Sequence, residues 1–103
     1  MNCSIVILSY NRPKPLIKCI KALEKQDYHG KWEIVIINDG GTPINIKLSE
    51  RIKIINQQNK GPAAARNVGA RHARGVYIAF LDDDCEPEID WLQQLLKHAE
   101  EGV

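Results

Sequence analysis

GVYIAFLDDDCEP, residues 75 to 87, is the stretch from which the fold of this chain can be read. Val76 to Leu81 is a short apolar run with no polar alternation, bounded by Gly75 on one side and three aspartates on the other, which reads as a strand buried on both faces. Pro87 then opens a helix that sets Ile89, Leu92, Leu95, Leu96 and Ala99 on one face. Working outward, the same unit recurs. Upstream, Asn59, Lys60, Gly61 and Pro62 introduce an Ala-rich helix from about Ala63 to Arg74, closed by Gly75 as its C-cap. Before it, Ile52, Ile54 and Ile55 mark a strand, and Ile34 to Ile37 another, stopped by the turn formers Asn38 to Pro43. Between these two strands lies a loop with at most a short helix around Ile44 to Ser49. At the start, Cys3 to Ser9 is a β-branched run. It is ended by Tyr10, by Asn11 as a helix N-cap, and by Pro13 and Pro15 in a first helical turn, with Leu16, Ile20 and Leu23 at helical spacing.

Apolar strands alternating with helices predict an α/β fold: Rossmann-like, doubly wound, a mainly parallel four-strand sheet with helices on both faces. In such sheets ligands bind beyond the carboxyl ends of the strands, where strand order reverses. Every polar cluster falls there. The 103 residues, 44% hydrophobic and 26% charged, fit one domain over residues 1–103 and exclude disordered and disulfide-framework classes. The longest apolar runs, Ile5 to Leu8 and Tyr77 to Leu81, are far short of the ~20 residues of a transmembrane helix. No basic segment leads into an apolar signal core, so a cytoplasmic location is expected. Cys3, Cys19 and Cys85 have no CxxC or zinc-like spacing and read as reduced thiols, the first two as core residues.

Charge is balanced overall but not along the chain. Residues 1 to 75 hold 13 of the 14 Lys and Arg against 5 acids, while residues 76 to 103 hold one Lys against 8 acids. Cationic groups and a carboxylate cluster are therefore set to face a common ligand, or each other. Asp82, Asp83 and Asp84 are consecutive at a strand end, so two of the three project to a shared region. Unit charges ~6 Å apart repel by roughly 0.7 kcal/mol in water and ~3 kcal/mol at an effective dielectric of 20. A divalent magnesium or manganese ion would offset this; a solvated acidic turn is the alternative. Glu86, Glu88 and Asp90 read as first-turn acids of the last helix. A calcium loop fails because Pro87 and Gln93 stand where a glycine and a bidentate glutamate are required.

The helix opening at Gly61 offers backbone N–H groups, and Arg66 is the nearest of its cations. Arg71 and Arg74 read as solvated. Asp39 could accept from a base or ribose, or close its own loop as an Asx-turn. Tyr10 could stack on a base or cap the sheet edge. His29, His72 and His98 have no recognisable partners. Without GxGxxG after the first strand or GxxxxGK[ST] anywhere, neither a nicotinamide-binding domain nor a P-loop NTPase is expected. Nucleic acid is not an expected partner, since three aspartates in a nearly neutral chain repel phosphate.

SIVILSYNRP at residues 4–13, EIVIINDGGT at 33–42, NKGPAAARNVGA at 59–70 and GVYIAFLDDDCEP at 75–87 occur at compatible separations. In this set the chain resembles the first half of a family 2 glycosyltransferase with the GT-A fold, over nearly its whole length. The resemblance implies a nucleotide-sugar donor, a uridine-linked one by family frequency, and a saccharide or lipid-linked acceptor. It further implies transfer with inversion. Asp39 matches the aspartate that reads the base, Tyr10 the loop lining base and ribose, and Arg66 the arginine near base and diphosphate. Asp82 to Asp84 match the DxD region, with Asp84, beside Asp82, on a Mg2+ or Mn2+ ion and Asp82 or Asp83 toward the ribose. Asn38 departs from the pattern, where relatives often carry an aspartate. The family's catalytic base lies well downstream, so residues 1–103 correspond to the nucleotide-binding half, with the acceptor half absent and transfer by this chain alone expected to be poor. Apolar surface left open along the sheet edge predicts self-association, with a homodimer as one outcome, and the full enzyme is expected at most to associate peripherally with membranes. A non-catalytic nucleotide-binding module is the rival reading.

Overall fold

The computed structural model describes residues 1–44 and 49–101. Four strands, β1 (Cys3–Ser9), β2 (Trp32–Asp39), β3 (Ile52–Gln57) and β4 (Tyr77–Asp82), alternate with three helices, α1 (Pro13–Glu24), α2 (Pro62–His72) and α3 (Trp91–Glu100). The short helix expected near residues 44–49 falls on residues 45–48, outside the described residues.

The sheet has the order β3-β2-β1-β4, and every pairing is parallel. Residues alternate between its two faces. Cys3, Ile5 and Ile7 of β1 and Trp32, Ile34 and Ile36 of β2 join Leu16, Cys19, Ile20 and Leu23 of α1 and Leu92 and Leu96 of α3 in one core. On the other face Val6, Val35 and Ile37 pack with Ala65 of α2. Connections of this kind are right-handed, and the chain moves one way from β1 to β2 and the opposite way from β3 to β4. That reversal puts α1 and α2 on opposite faces. It also makes the gap between the carboxyl ends of β1 and β4 the switch point of the sheet.

Small residues permit the close approach of α2: a side chain added at Gly69 would collide with Val6. The helix ends at His72 with Ala73 as its cap, not at Gly75. Gly75 serves another purpose, because a Cβ there would run into the backbone of Cys3 and Ser4. Its N–H, at 2.8 Å, and that of Arg74, at 3.1 Å, donate to Ser4 Oγ. Ser4 in turn donates to the buried Glu33 carboxylate at 2.6 Å, which also accepts from Arg74 N–H at 2.7 Å. Burial pushes the Glu33 carboxyl upward, yet these donors together with the Lys53 and Arg74 charges hold it below its ordinary range.

Two helix starts differ from their sequence reading. Arg12, not Asn11, is the N-cap of α1, and it makes no side-chain capping bond. Asn11 instead adopts a left-handed backbone (φ 51°) and accepts from Thr42 N–H at 3.3 Å. The last helix begins at Trp91, so Glu86 and Glu88 precede it, Asp90 is its N-cap, and Ile89 is 61% exposed rather than part of the apolar face. The cause is a remote residue. Gln26, just beyond α1, accepts from Leu92 N–H at 2.8 Å and donates to the Glu88 carbonyl at 2.6 Å, while Asp27 N–H bonds the Ile89 carbonyl. Gln26 thus satisfies one of the unpaired N–H groups of α3 and fixes where its first turn can begin. Gln26→Ala is expected to cost about 1–2 kcal/mol of stability in urea unfolding, a typical capping loss. A midpoint equal to wild type would contradict this role.

Candidate functional site

An open cleft of about 350 Å³ lies at the switch point, lined by Val6, Leu8, Arg12, Arg66, Phe80, Leu81 and the three aspartates. Each wall has a simple origin. Asp82 ends β4, opposite Leu8 of β1 in register. Beyond it Asp83 and Asp84 form a turn, closed by Cys85 N–H on the Asp82 carbonyl at 3.2 Å, that brings Asp84 back beside Asp82. Their carboxylate oxygens and the Cys85 thiol all lie within 4.8 Å of one another. Asp83 is the buried one of the three, its carboxylate 3.1 Å from Arg12 Nη1 and hydrogen-bonded to Ser9. Burial pushes the Asp83 carboxyl above its ordinary range, opposed by Arg12 and Ser9 and reinforced by the Asp84 charge.

Arg12 also reaches Asp84, 3.4 Å from Nη2 to Oδ2. Across the cleft Arg66 rises from the second turn of α2, its guanidinium 5.8 Å from the Phe80 ring centroid in a cation–π contact. The lopsided charge distribution of the sequence is thereby resolved in both senses. Arg12 and the aspartates face each other, while Arg66 shares the cleft with them. Two exposed carboxylates on one side are a donor set suited to a hard divalent cation such as Mg2+ or Mn2+. The thiols of the core are not nucleophiles, since burial raises Cys3 to about 11 and, with nearby negative charge, Cys19 to about 12.

Asp39 is not in this cleft. It ends β2 beside Gln57 of β3 and is almost fully buried. Oδ1 accepts from Gln57 Nε2 and Lys60 N–H, both at 2.9 Å, and Oδ2 from Gly61 N–H at 3.0 Å. Asn59 Nδ2 adds a bond to the Asp39 carbonyl. Burial would raise this carboxyl; the three donors and the Lys60 charge outweigh it and hold it below the ordinary carboxylate range. Asp39 therefore clamps the loop from which α2, and with it Arg66, departs. Gly61 caps that helix with φ 92°, a conformation natural to glycine. Tyr10 stands exposed just beyond the end of β1.

The structure adds residues the sequence reading had left without a role. Arg12 is the main one; nothing near it in sequence marks its role, since only the pairing of β1 with β4 brings its carboxylates to it. Asn38 is the other. Its amide donates to the Thr42 carbonyl at 3.0 Å and to Asn56 Oδ1 at 2.8 Å, and Asn56 Oδ1 also accepts from Ile44 N–H. An aspartate there has no proton to donate, so the asparagine is built into this loop.

Comparison with known proteins agrees with this geometry. Residues 4–103 match the model of glycosyl transferase family 2. An uncharacterized glycosyltransferase of Rickettsia conorii is 42% identical over 105 residues, covering 96% of this chain and 17% of that protein. The crystal structure of residues 1–349 of S. aureus TarS superposes with a TM-score of 0.85 at 25% identity, covering 98% of this chain and 33% of that one. The same segment of TarS in complex with UDP-GlcNAc superposes at 0.83 with 23% identity, over 98% of this chain and 32% of that one, a likeness of fold. The chain thus spans about a sixth of the first relative and a third of the second. A parallel sheet in the order 3-2-1-4, acidic and basic groups meeting at its switch point, and a family match over nearly all residues lead to one assignment: the chain belongs to glycosyl transferase family 2.

Proposed function

We propose that residues 1–103 form the donor half of an inverting glycosyltransferase, binding a nucleoside-diphosphate sugar with a divalent cation at the β1–β4 cleft. The observation that carries the proposal is the convergence of Asp82 and Asp84 opposite Arg66 in a family 2 chain. TarS in complex with UDP-GlcNAc supports a uridine-linked donor. In this reading Asp82 and Asp84 hold Mg2+ or Mn2+, which when bound neutralises charge on the departing diphosphate. Arg66 supplies a fixed positive charge toward the same oxygens. Asp83, buried beside Asp82 and Asp84, holds Arg12 at the cleft. Tyr10 lines the base. Asp39 keeps a lone pair on Oδ2 for a base N–H, since a carboxylate has about four acceptor sites and three are taken within the chain.

A glycan or lipid-linked molecule is the acceptor in this reading. No helix among the described residues is long and apolar enough to cross a membrane. The exposed Ile78 and Phe80 on edge strand β4, with Val76 just before it, support self-association of the isolated chain.

Binding of Mn2+ in the presence of UDP, followed by loss of the free-ion EPR signal, tests the metal assignment. Wild type is expected to take up the ion, and Asp84→Asn to bind it at least about tenfold more weakly, because one of two charged ligands is lost. Equal uptake by both would overturn the assignment.

A further inference from the structure

Arg12 stands in two environments at once. Through Nη1 it pairs with Asp83, whose side chain is only 7% exposed; through Nη2 it reaches Asp84, 53% exposed and 3.4 Å away. The first contact leaves a buried charge uncompensated if broken and is therefore persistent. The second is long and solvent-washed, the kind of ion pair that contributes little and exchanges readily. The guanidinium is thus anchored on one side and free to change partners on the other. Its outer nitrogen lies on a carboxylate that, with Asp82, lines the cleft shared with Arg66. Loss of that outer contact would leave two N–H donors facing a region otherwise rich in negative charge, and a planar fork of this kind suits phosphate oxygens.

We propose that Arg12 is a positioning residue coupling donor binding to the cation. Hinged on Asp83, its guanidinium neutralises Asp84 in the metal-free chain. It yields Asp84 when the divalent cation is present and presents Nη2 to the donor diphosphate. The proposal rests on the reading of Asp82 and Asp84 as the metal-holding pair. Arg12 thereby opposes the cation when it binds alone and favours the donor once the cation is in place.

Two measurements on the full chain separate this from a purely structural ion pair. The first is Mn2+ affinity without nucleotide; the second is UDP affinity at saturating Mn2+. Arg12→Met is expected to bind Mn2+ alone about tenfold more tightly, since a competing positive charge is removed, and UDP about tenfold more weakly. Arg12→Lys keeps a cation for Asp83 but lacks the fork. It should move both affinities in the same directions by smaller factors, and it serves if circular dichroism shows that Arg12→Met is not folded. A folded variant with unchanged Mn2+ affinity, or with unchanged UDP affinity, would overturn the coupling role. The Asp84→Asn chain distinguishes the underlying reading: if it retains wild-type Mn2+ affinity, the metal assignment fails and the coupling with it. If it loses the ion while Arg12→Met leaves Mn2+ affinity unchanged, the role of Arg12 alone fails.

Discussion

Asp39→Asn is expected to lower stability by about 2–3 kcal/mol and to weaken UDP binding, though it changes a single oxygen. The carboxylate accepts three bonds, two from backbone N–H groups of the loop that opens α2. An amide placed there must turn its NH2 either on Gly61 N–H or on the donors of Lys60 and Gln57, setting donor against donor. Bonds to charged acceptors contribute about 1.5–3 kcal/mol each, and a chain of this size has on the order of 5–15 kcal/mol in all. At roughly 4–8 °C per kcal/mol for a domain near 100 residues, the melting temperature should fall on the order of 10–20 °C.

The pH dependence provides an internal check. The folded-state values of Asp39 and Glu33 lie below their unfolded ones, about 3.9 and 4.3. Their stabilisation is therefore complete above those unfolded values and is lost as pH falls through the folded ones. Asp83, raised by burial, acts in the opposite sense. Wild-type stability should decline with acid from about pH 4 downward, and Asp39→Asn, lacking one of the two depressed carboxyls, should decline less steeply. Thermal unfolding at pH 7 and at steps below pH 5 measures both effects. A variant as stable as wild type at pH 7, with the same acid slope, would show that the clamp contributes nothing.

Arg66 begins one turn beyond that clamp, so the second large effect belongs to the cleft itself. Asp84→Asn removes one of the two carboxylates that converge at the end of β4, and its side chain is exposed, so folding should be preserved. Its consequence is confined to the cation and whatever binds with it. A cation held there by Asp82 and Asp84 would offset the charge of the donor diphosphate, so losing one charged ligand should raise the Kd for UDP at least about tenfold in the presence of Mn2+.

What could be read from the sequence follows from which forces are local. Unbroken apolar runs mark parallel strands, and all four were legible, as was the placement of every polar cluster at a carboxyl end. β4, read as buried on both faces, is instead an edge strand with Tyr77, Ile78 and Phe80 exposed; apolar residues alone do not say which strand has a neighbour. That two of the three aspartates share a region was also legible. Helix boundaries were harder wherever a distant residue decides them. Nothing near Trp91 in sequence announces that Gln26 holds its first turn, and Pro87 alone pointed to an earlier start. Gly75 looked like a cap because caps are a local habit of glycine, whereas its real constraint is the backbone of β1 lying against it. Asn11 could not show that it would turn left-handed to meet Thr42. Arg12 had no local partner at all. Its carboxylates are more than seventy residues away, and only the parallel pairing of β1 with β4 brings them together.

The most direct test of the donor-site account is a calorimetric titration of the chain with UDP, with and without Mn2+, alongside Asp84→Asn. The account predicts binding that requires Mn2+ and is lost or weakened at least about tenfold in the variant. Binding of equal strength without the ion, or unchanged in Asp84→Asn, would contradict it.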